Sequence, residues 1–164
     1  PIGGVMVSEK IYQALVEGSR KHGTFGHGFT YSGHPVPTAV ALETQRIYDD
    51  MKIGDHVKAV SKRFQRRLHA LADHPLVGEA RGLGLIGAVE LVADKAARRN
   101  FEPGRKVGPR VMALASDHGL IVRALVNDTL AFCPPLIIND QQIDEMFDRF
   151  GRALDDMAAE LKAG

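Results

Sequence analysis

A single cysteine, Cys133, is all that the 164 residues offer for sulfur chemistry. An internal disulfide framework is thereby excluded, and a reducing compartment suits the chain, so the cytoplasm is the expected location. Excess charge of one sign is equally scarce: 21 Lys+Arg against 20 Asp+Glu leave a net charge of +1. No strong field would draw such a chain to nucleic acid or to an anionic membrane. Long apolar runs are missing too. None approaches the roughly 18 residues that a membrane-spanning helix requires, and no charged-then-apolar signal segment opens the sequence. What is present, 45% hydrophobic and 25% charged residues, is the composition of a soluble globular protein with a real core.

Pro1-Ile2-Gly3-Gly4-Val5-Met6-Val7-Ser8 begins without an initiator Met, and residues 4–7 read as a short buried strand. Native chains usually start in solvated, dispensable residues, so Pro1 is read as an internal position of a longer protein. Ser8 can cap a helix that carries Ile11 and Leu15 on one face. Residues 22–34 hold four glycines and three histidines without any period, which predicts a loop of unusual backbone angles. After Pro35 a long helical stretch is expected, interrupted near Gly54. Its second half spaces Val57, Val60, Phe64, Leu68 and Leu71 by three and four, which buries one face, and His74-Pro75 ends it.

From Val77 to Val92 the pattern is strand-like and punctuated by glycines. A helix is predicted from about Arg105 to His118, with Gly119 just past its end. Residues 120–124 and 129–132 then read as two short strands around a turn at Val126-Asn127-Asp128. Asn139 and Gln142 form a capping box for the last helix. Its apolar stripe runs through Ile143, Met146, Phe147, Phe150, Leu154, Met157 and Leu161. The fold class is α/β, a long connecting helix followed by a small α+β unit, divided as residues 1–55 and 56–164.

Gly82-Leu83-Gly84-Leu85-Ile86-Gly87 matches the dinucleotide fingerprint G-x-G-x-x-G. That motif works only where a strand turns into a helix, and here the following residues look extended, so the glycines are read as kinks in a strand. His22, His27 and His34 lack a compatible further ligand and are read as hydrogen-bonding loop residues rather than a metal site. Lys62, Arg63, Arg66 and Arg67 are read as a solvated helix face. None of the eight lysines has the buried setting that a Schiff-base lysine needs.

Two features stand apart. Phe29-Thr30-Tyr31-Ser32-Gly33-His34-Pro35 combines hydroxyls, a glycine and a helix-starting proline. It is either a phosphate-holding loop or an ordinary loop leading into a helix. Arg123 interrupts an otherwise apolar run, which leaves it either paired in a structural salt bridge or aimed at an anionic ligand.

Taken in order along the chain, these segments resemble the C-terminal part of the class III, fold type I, pyridoxal-phosphate-dependent aminotransferases. His27-Gly28-Phe29-Thr30-Tyr31-Ser32-Gly33-His34-Pro35 is similar to the family's most characteristic C-terminal motif, and Pro1–Val7 to the segment that follows its cofactor lysine. Arg81-Gly82-Leu83-Gly84, Gly87-Ala88-Val89-Glu90-Leu91 and Phe132-Cys133-Pro134-Pro135-Leu136 resemble further landmarks. The resemblance implies a remnant of the large cofactor-binding domain, a connecting helix and a C-terminal small domain. It also implies the remainder of the same enzyme and a second subunit as partners (a homodimer or a dimer of dimers), and small amine and keto-acid substrates.

The resemblance further assigns roles. Thr30 would bind the phosphate of the other subunit's pyridoxal 5'-phosphate, with Phe29 contributing to the same contact. Arg123 falls where the omega (amine:pyruvate) transaminases have a mobile arginine for the acceptor's carboxylate. Ornithine-type members instead carry an arginine shortly before the Pro-Pro pair, where this sequence has Ala131. The Schiff-base lysine is expected upstream of Pro1, and the chain by itself is expected to be inactive. The alternatives are another class III chemistry, such as an aminomutase or a diamine transaminase, or a non-catalytic dimerisation module. In one place the pattern departs from the family, where a Gly-Asp turn is replaced by Val126-Asn127-Asp128.

Overall fold

Spacing of apolar residues by three and four accounts for the two helices that organise the core. The computed structural model describes residues 2–163. Its elements are α1 (Glu9–His22), α2 (Pro35–Asp50), α3 (Ile53–Ala70), β1 (Val77–Leu83), β2 (Ile86–Leu91), α4 (Val107–Asp117), β3 (Arg123–Leu125), β4 (Thr129–Phe132) and α5 (Asp140–Ala163). The chain forms two compact units, Pro1–Met51 and Lys52–Gly164. No helix among the described residues is long and apolar enough to cross a membrane.

In the first unit, α1 and α2 are joined by the Gly- and His-rich loop, and neither helix buries a residue of its own. The strand expected at residues 4–7 does not form; Val5 and Met6 lie exposed in an extended segment. An apolar run favours burial, but a strand also needs a neighbouring edge to satisfy its backbone groups. No strand exists among the described residues of this unit. Ser8 takes the N-cap position of α1 with extended backbone but makes no side-chain capping bond. The helical stretch after Pro35 is broken at Met51-Lys52, where Lys52 adopts a left-handed conformation (φ 50°). Gly54, the expected break, lies inside the first turn of α3.

In the second unit, a four-stranded antiparallel sheet of order β1-β2-β4-β3 is covered on one face by helices. Val60, Phe64 and Leu68 of α3 and Ile143, Phe147, Phe150 and Leu154 of α5 are buried in one cluster with Val89, Leu130 and Phe132 of the sheet. Aromatic rings join the layers. Phe64 meets Phe147 at 5.2 Å between centroids, and Phe132 meets Phe150 at 4.8 Å, both edge to face. The capping box of α5 is complete: the Asn139 N–H donates to Gln142 Oε1 at 3.0 Å, and the Gln142 N–H donates to Asn139 Oδ1 at 2.9 Å.

The segment Val77–Val92 is a hairpin, not one kinked strand, and its glycines have separate duties. Gly84 (φ 61°) stands in the two-residue turn. Gly82 and Gly87 are cross-strand partners on the helix-facing side. A Cβ on Gly87 would lie 2.6 Å from Leu68 Cδ2 and 3.1 Å from Phe64 Cε1. Nothing in this strand–turn–strand arrangement presents a helix N-terminus to a pyrophosphate, and the glycines serve close packing.

The basic residues of α3 also divide, which corrects the reading of a uniformly solvated face. Lys62 and Arg66 are exposed. Arg63 pairs with Asp144 and Arg67 with Asp144 and Asp148, all on α5. The hydrogen-bonded Arg63 guanidinium holds the Asp144 carboxyl below the ordinary carboxylate range. Sequence periodicity places these arginines away from the apolar stripe but cannot show that a second helix flanks it.

His74, where the chain leaves α3, is mostly buried and accepts a hydrogen bond from the Leu76 N–H at Nδ1 (3.2 Å). Burial depresses its pKa below 6.5, opposed by Asp155 at 3.5 Å and assisted by Lys95. The folded state therefore favours neutral His74. Its contribution is fully present above the unfolded pKa and is lost as pH falls through that value toward the folded one. Between about pH 7 and about pH 5.5, spanning the ordinary histidine range, thermal unfolding should show a larger loss of stability in the native protein than in H74Q. Close packing at Gly87 sets a second expectation. Gly87→Ala should destabilise by about 1–3 kcal/mol in urea unfolding, since neither Leu68 nor Phe64 has room to move.

Candidate functional site

Two places carry the residues singled out from the sequence, one in each unit. The first is the turn before α2. The Ser32 N–H donates to the Phe29 carbonyl at 2.9 Å, and the Phe29 N–H donates to Ser32 Oγ at 3.0 Å. Gly33 (φ 71°) completes the turn. His34 Nδ1 accepts from the Val36 N–H at 3.2 Å and so caps α2, with Pro35 at its first position. The two hydroxyls are thereby distinguished. Ser32 is engaged in the turn, whereas Thr30 is exposed at its apex and its hydroxyl has no partner among the described residues. Phe29 is exposed beside it, with its ring 5.8 Å from that of His27. His27 is thus flanked by Phe25 and Phe29, and His34 is a cap.

The second place is the sheet face opposite the helices. Antiparallel pairing puts Arg81, Ala88, Ala131 and Arg123 in one row across all four strands, and paired residues share a face. Leu130 and Phe132 point into the core, so the alternating Ala131 and its partner Arg123 face the other way. The row has an arginine at each end and alanines between. Arg81 is neutralised, 3.0 Å from Glu79 and 3.4 Å from Glu90. Arg123 is exposed and forms no ion pair among the described residues. Of the two readings open for Arg123, the internal salt bridge has no partner among the described residues.

The turn after β3 explains the departure noted above. Asn127 (φ 56°) and Asp128 (φ 49°) are both left-handed, a conformation that Asn and Asp tolerate best after Gly. The sequence marks Asp128 only as part of a turn. It does not show that the Asp128 carboxylate accepts the Gly108 N–H at 2.7 Å. No local signal marks this contact, since the N–H it caps lies 20 residues earlier. All eight lysines are exposed. Thr30 and Arg123 belong to different units.

With this geometry established, comparison with known proteins is direct. Residues 1–154 match the class-III aminotransferase family. The putrescine–pyruvate aminotransferase of Pseudomonas aeruginosa is 47% identical over 164 residues, covering 99% of this chain and 35% of that protein. Among solved structures, a transaminase with L-alanine superposes with a TM-score of 0.84 at 48% identity, over 94% of this chain and 36% of that one. The PMP-bound aminotransferase of Vibrio fluvialis gives a TM-score of 0.84 at 36% identity, over 94% of this chain and 34% of that one. The chain belongs to the class-III aminotransferases. It spans about a third of the length of the relatives it matches.

Proposed function

We propose that the enzyme to which this chain belongs transfers an amino group between a primary amine and a keto acid such as pyruvate, and that Arg123 binds the acceptor's carboxylate. The observation that carries this reading is the charge asymmetry of the outer sheet row, in which Arg81 is matched by two carboxylates and Arg123 by none. A guanidinium fork suits a carboxylate in two-point contact, and its long flexible arm can leave the space when an apolar amine occupies it. The amine–pyruvate chemistry in the name of the Pseudomonas aeruginosa relative, and the alanine bound to the similar solved transaminase, support pyruvate as acceptor.

Thr30 and Phe29 are assigned to the cofactor pyridoxal 5'-phosphate, whose phosphate fits the donors at the apex of the turn. A free hydroxyl is available there, next to a glycine-shaped backbone. The PMP-bound state of the Vibrio fluvialis relative supports this choice of cofactor. When bound, the cofactor supplies an electron sink and a carrier for the amino group. This chain's part is to hold the phosphate through the Thr30 hydroxyl and to select the acceptor through Arg123.

Homodimerisation, with Thr30 serving the other subunit, accords with the exposed Phe29, Tyr31, Val36 and Val40 around the turn and α2. The single cysteine accords with a cytoplasmic location.

Both assignments are testable in the full-length enzyme. R123A should raise KM for pyruvate about 10- to 100-fold, as expected for losing a hydrogen-bonded charge pair, with KM for a carboxylate-free amine nearly unchanged. Unchanged pyruvate kinetics would remove Arg123 from acceptor binding. T30A should weaken cofactor retention by about ten-fold in equilibrium dialysis followed by absorbance; equal retention would clear Thr30 of the phosphate role.

A further inference from the structure

We infer that Asp128 sets the place of Arg123 and so acts as a positioning residue for acceptor binding; the inference rests on the reading of Arg123 proposed above. β3 is three residues long, lies at the sheet edge and pairs with β4 alone. So short an edge strand has little of its own to hold its register. The location of Arg123, at the open end of the β3–β4 hairpin, therefore follows from its core-packed neighbours Val122 and Ala124 together with what fixes the turn at the other end.

Both hydrogen bonds that tie this turn to other elements pass through Asp128. Its carbonyl accepts the Leu91 N–H at 3.2 Å, which secures the turn to the end of β2. Its Oδ1 accepts the Gly108 N–H at 2.7 Å, which secures it to the first turn of α4. That N–H is one of the donors a helix leaves without an internal partner, and a carboxylate there is favoured by the helix dipole. The residue at the N-cap of α4, Lys106, makes no side-chain capping bond, so the cap comes from Asp128 instead.

The contact is close as well as polar. A Cβ on Gly108 would lie 2.9 Å from Asp128 Cα, so glycine is what permits the turn to seat on the helix. The helix is a firm anchor, because Val107, Val111, Leu114 and Ala115 are buried in the core. The turn, by contrast, holds Asn127 and Asp128 at φ 56° and φ 49°, where residues other than glycine sit at some cost. Without the Gly108 bond the turn is free to relax, and the edge strand with Arg123 moves with it.

Steady-state kinetics of the full-length enzyme test this with two substitutions, using R123A as reference. D128G removes the carboxylate while easing the left-handed backbone. D128N keeps an oxygen acceptor in a residue that tolerates that backbone. D128G should raise KM for pyruvate about ten-fold, with KM for a carboxylate-free amine unchanged, because loss of one charged hydrogen bond displaces Arg123 without removing it. D128N should show a smaller rise of about three-fold on the same substrate alone.

If R123A raises KM for pyruvate but D128G leaves it unchanged, or raises both KM values alike, the positioning role is overturned while the reading of Arg123 stands. If R123A itself has no effect, that reading fails and the inference goes with it. Should D128G give no folded enzyme, D128N decides: no selective rise for pyruvate overturns the proposal.

Discussion

Four phenylalanines meet where α3, α5 and the sheet converge, and the second unit depends on that meeting. Phe64, Phe132, Phe147 and Phe150 come from three elements separated by up to 86 positions in sequence and are nearly or wholly buried. Their edge-to-face contacts add geometric preference to the apolar area they remove from water. Because this cluster takes both helices to the same side of the sheet, the other side is left uncovered among the described residues, with Leu83 and Ile86 exposed on it beside Arg81 and Arg123. The outward row that ends in Arg123 is a direct result.

Charge follows the same division. The acids of α5 are met by bases from the helices beside it and the segments that follow them: Arg63 and Arg67 from α3, His74 from its end, Arg110 from α4 and His118 from beyond α4. Exposed pairs of this kind contribute little individually, but their arrangement favours one setting of α5 over a rotated one. On the outer sheet face the matching stops. Arg81 is balanced by Glu79 and Glu90, whereas Arg123 has no ion pair among the described residues.

Much of this fold was legible in the sequence because period and capping are local. The stripe of α5, its Asn139–Gln142 box, the bounds of β4 and the turn at residues 126–128 all depend on neighbours within a few positions. Apart from the helix break, expected near Gly54 and found at Met51-Lys52, the readings that failed concern partners distant in sequence. Residues 4–7 have the composition of a strand but no edge to pair with among the described residues of their unit. Arg63 and Arg67 lie off the apolar stripe, and only the approach of α5 turns them from solvated charges into ion pairs. The glycines at 82 and 87 were recognised as backbone devices, yet their purpose is set by Leu68 and Phe64, which arrive from another element.

The candidate site divides in the same way. The sequence alone determined that Thr30 stands in a glycine-shaped turn ahead of a proline-started helix, and that Arg123 is a solitary charge in an apolar run. Such facts are carried by residue type and spacing. Tertiary structure alone decided that Ser32 is taken by the turn while the Thr30 hydroxyl has no partner among the described residues, that Arg123 shares a face with a neutralised arginine, and that Asp128 caps the helix at Gly108, 20 residues before it. The reason is physical. A hydrogen bond or ion pair depends on distances of about 3 Å, and folding brings residues that far apart in sequence to within that distance without leaving any local pattern to announce it.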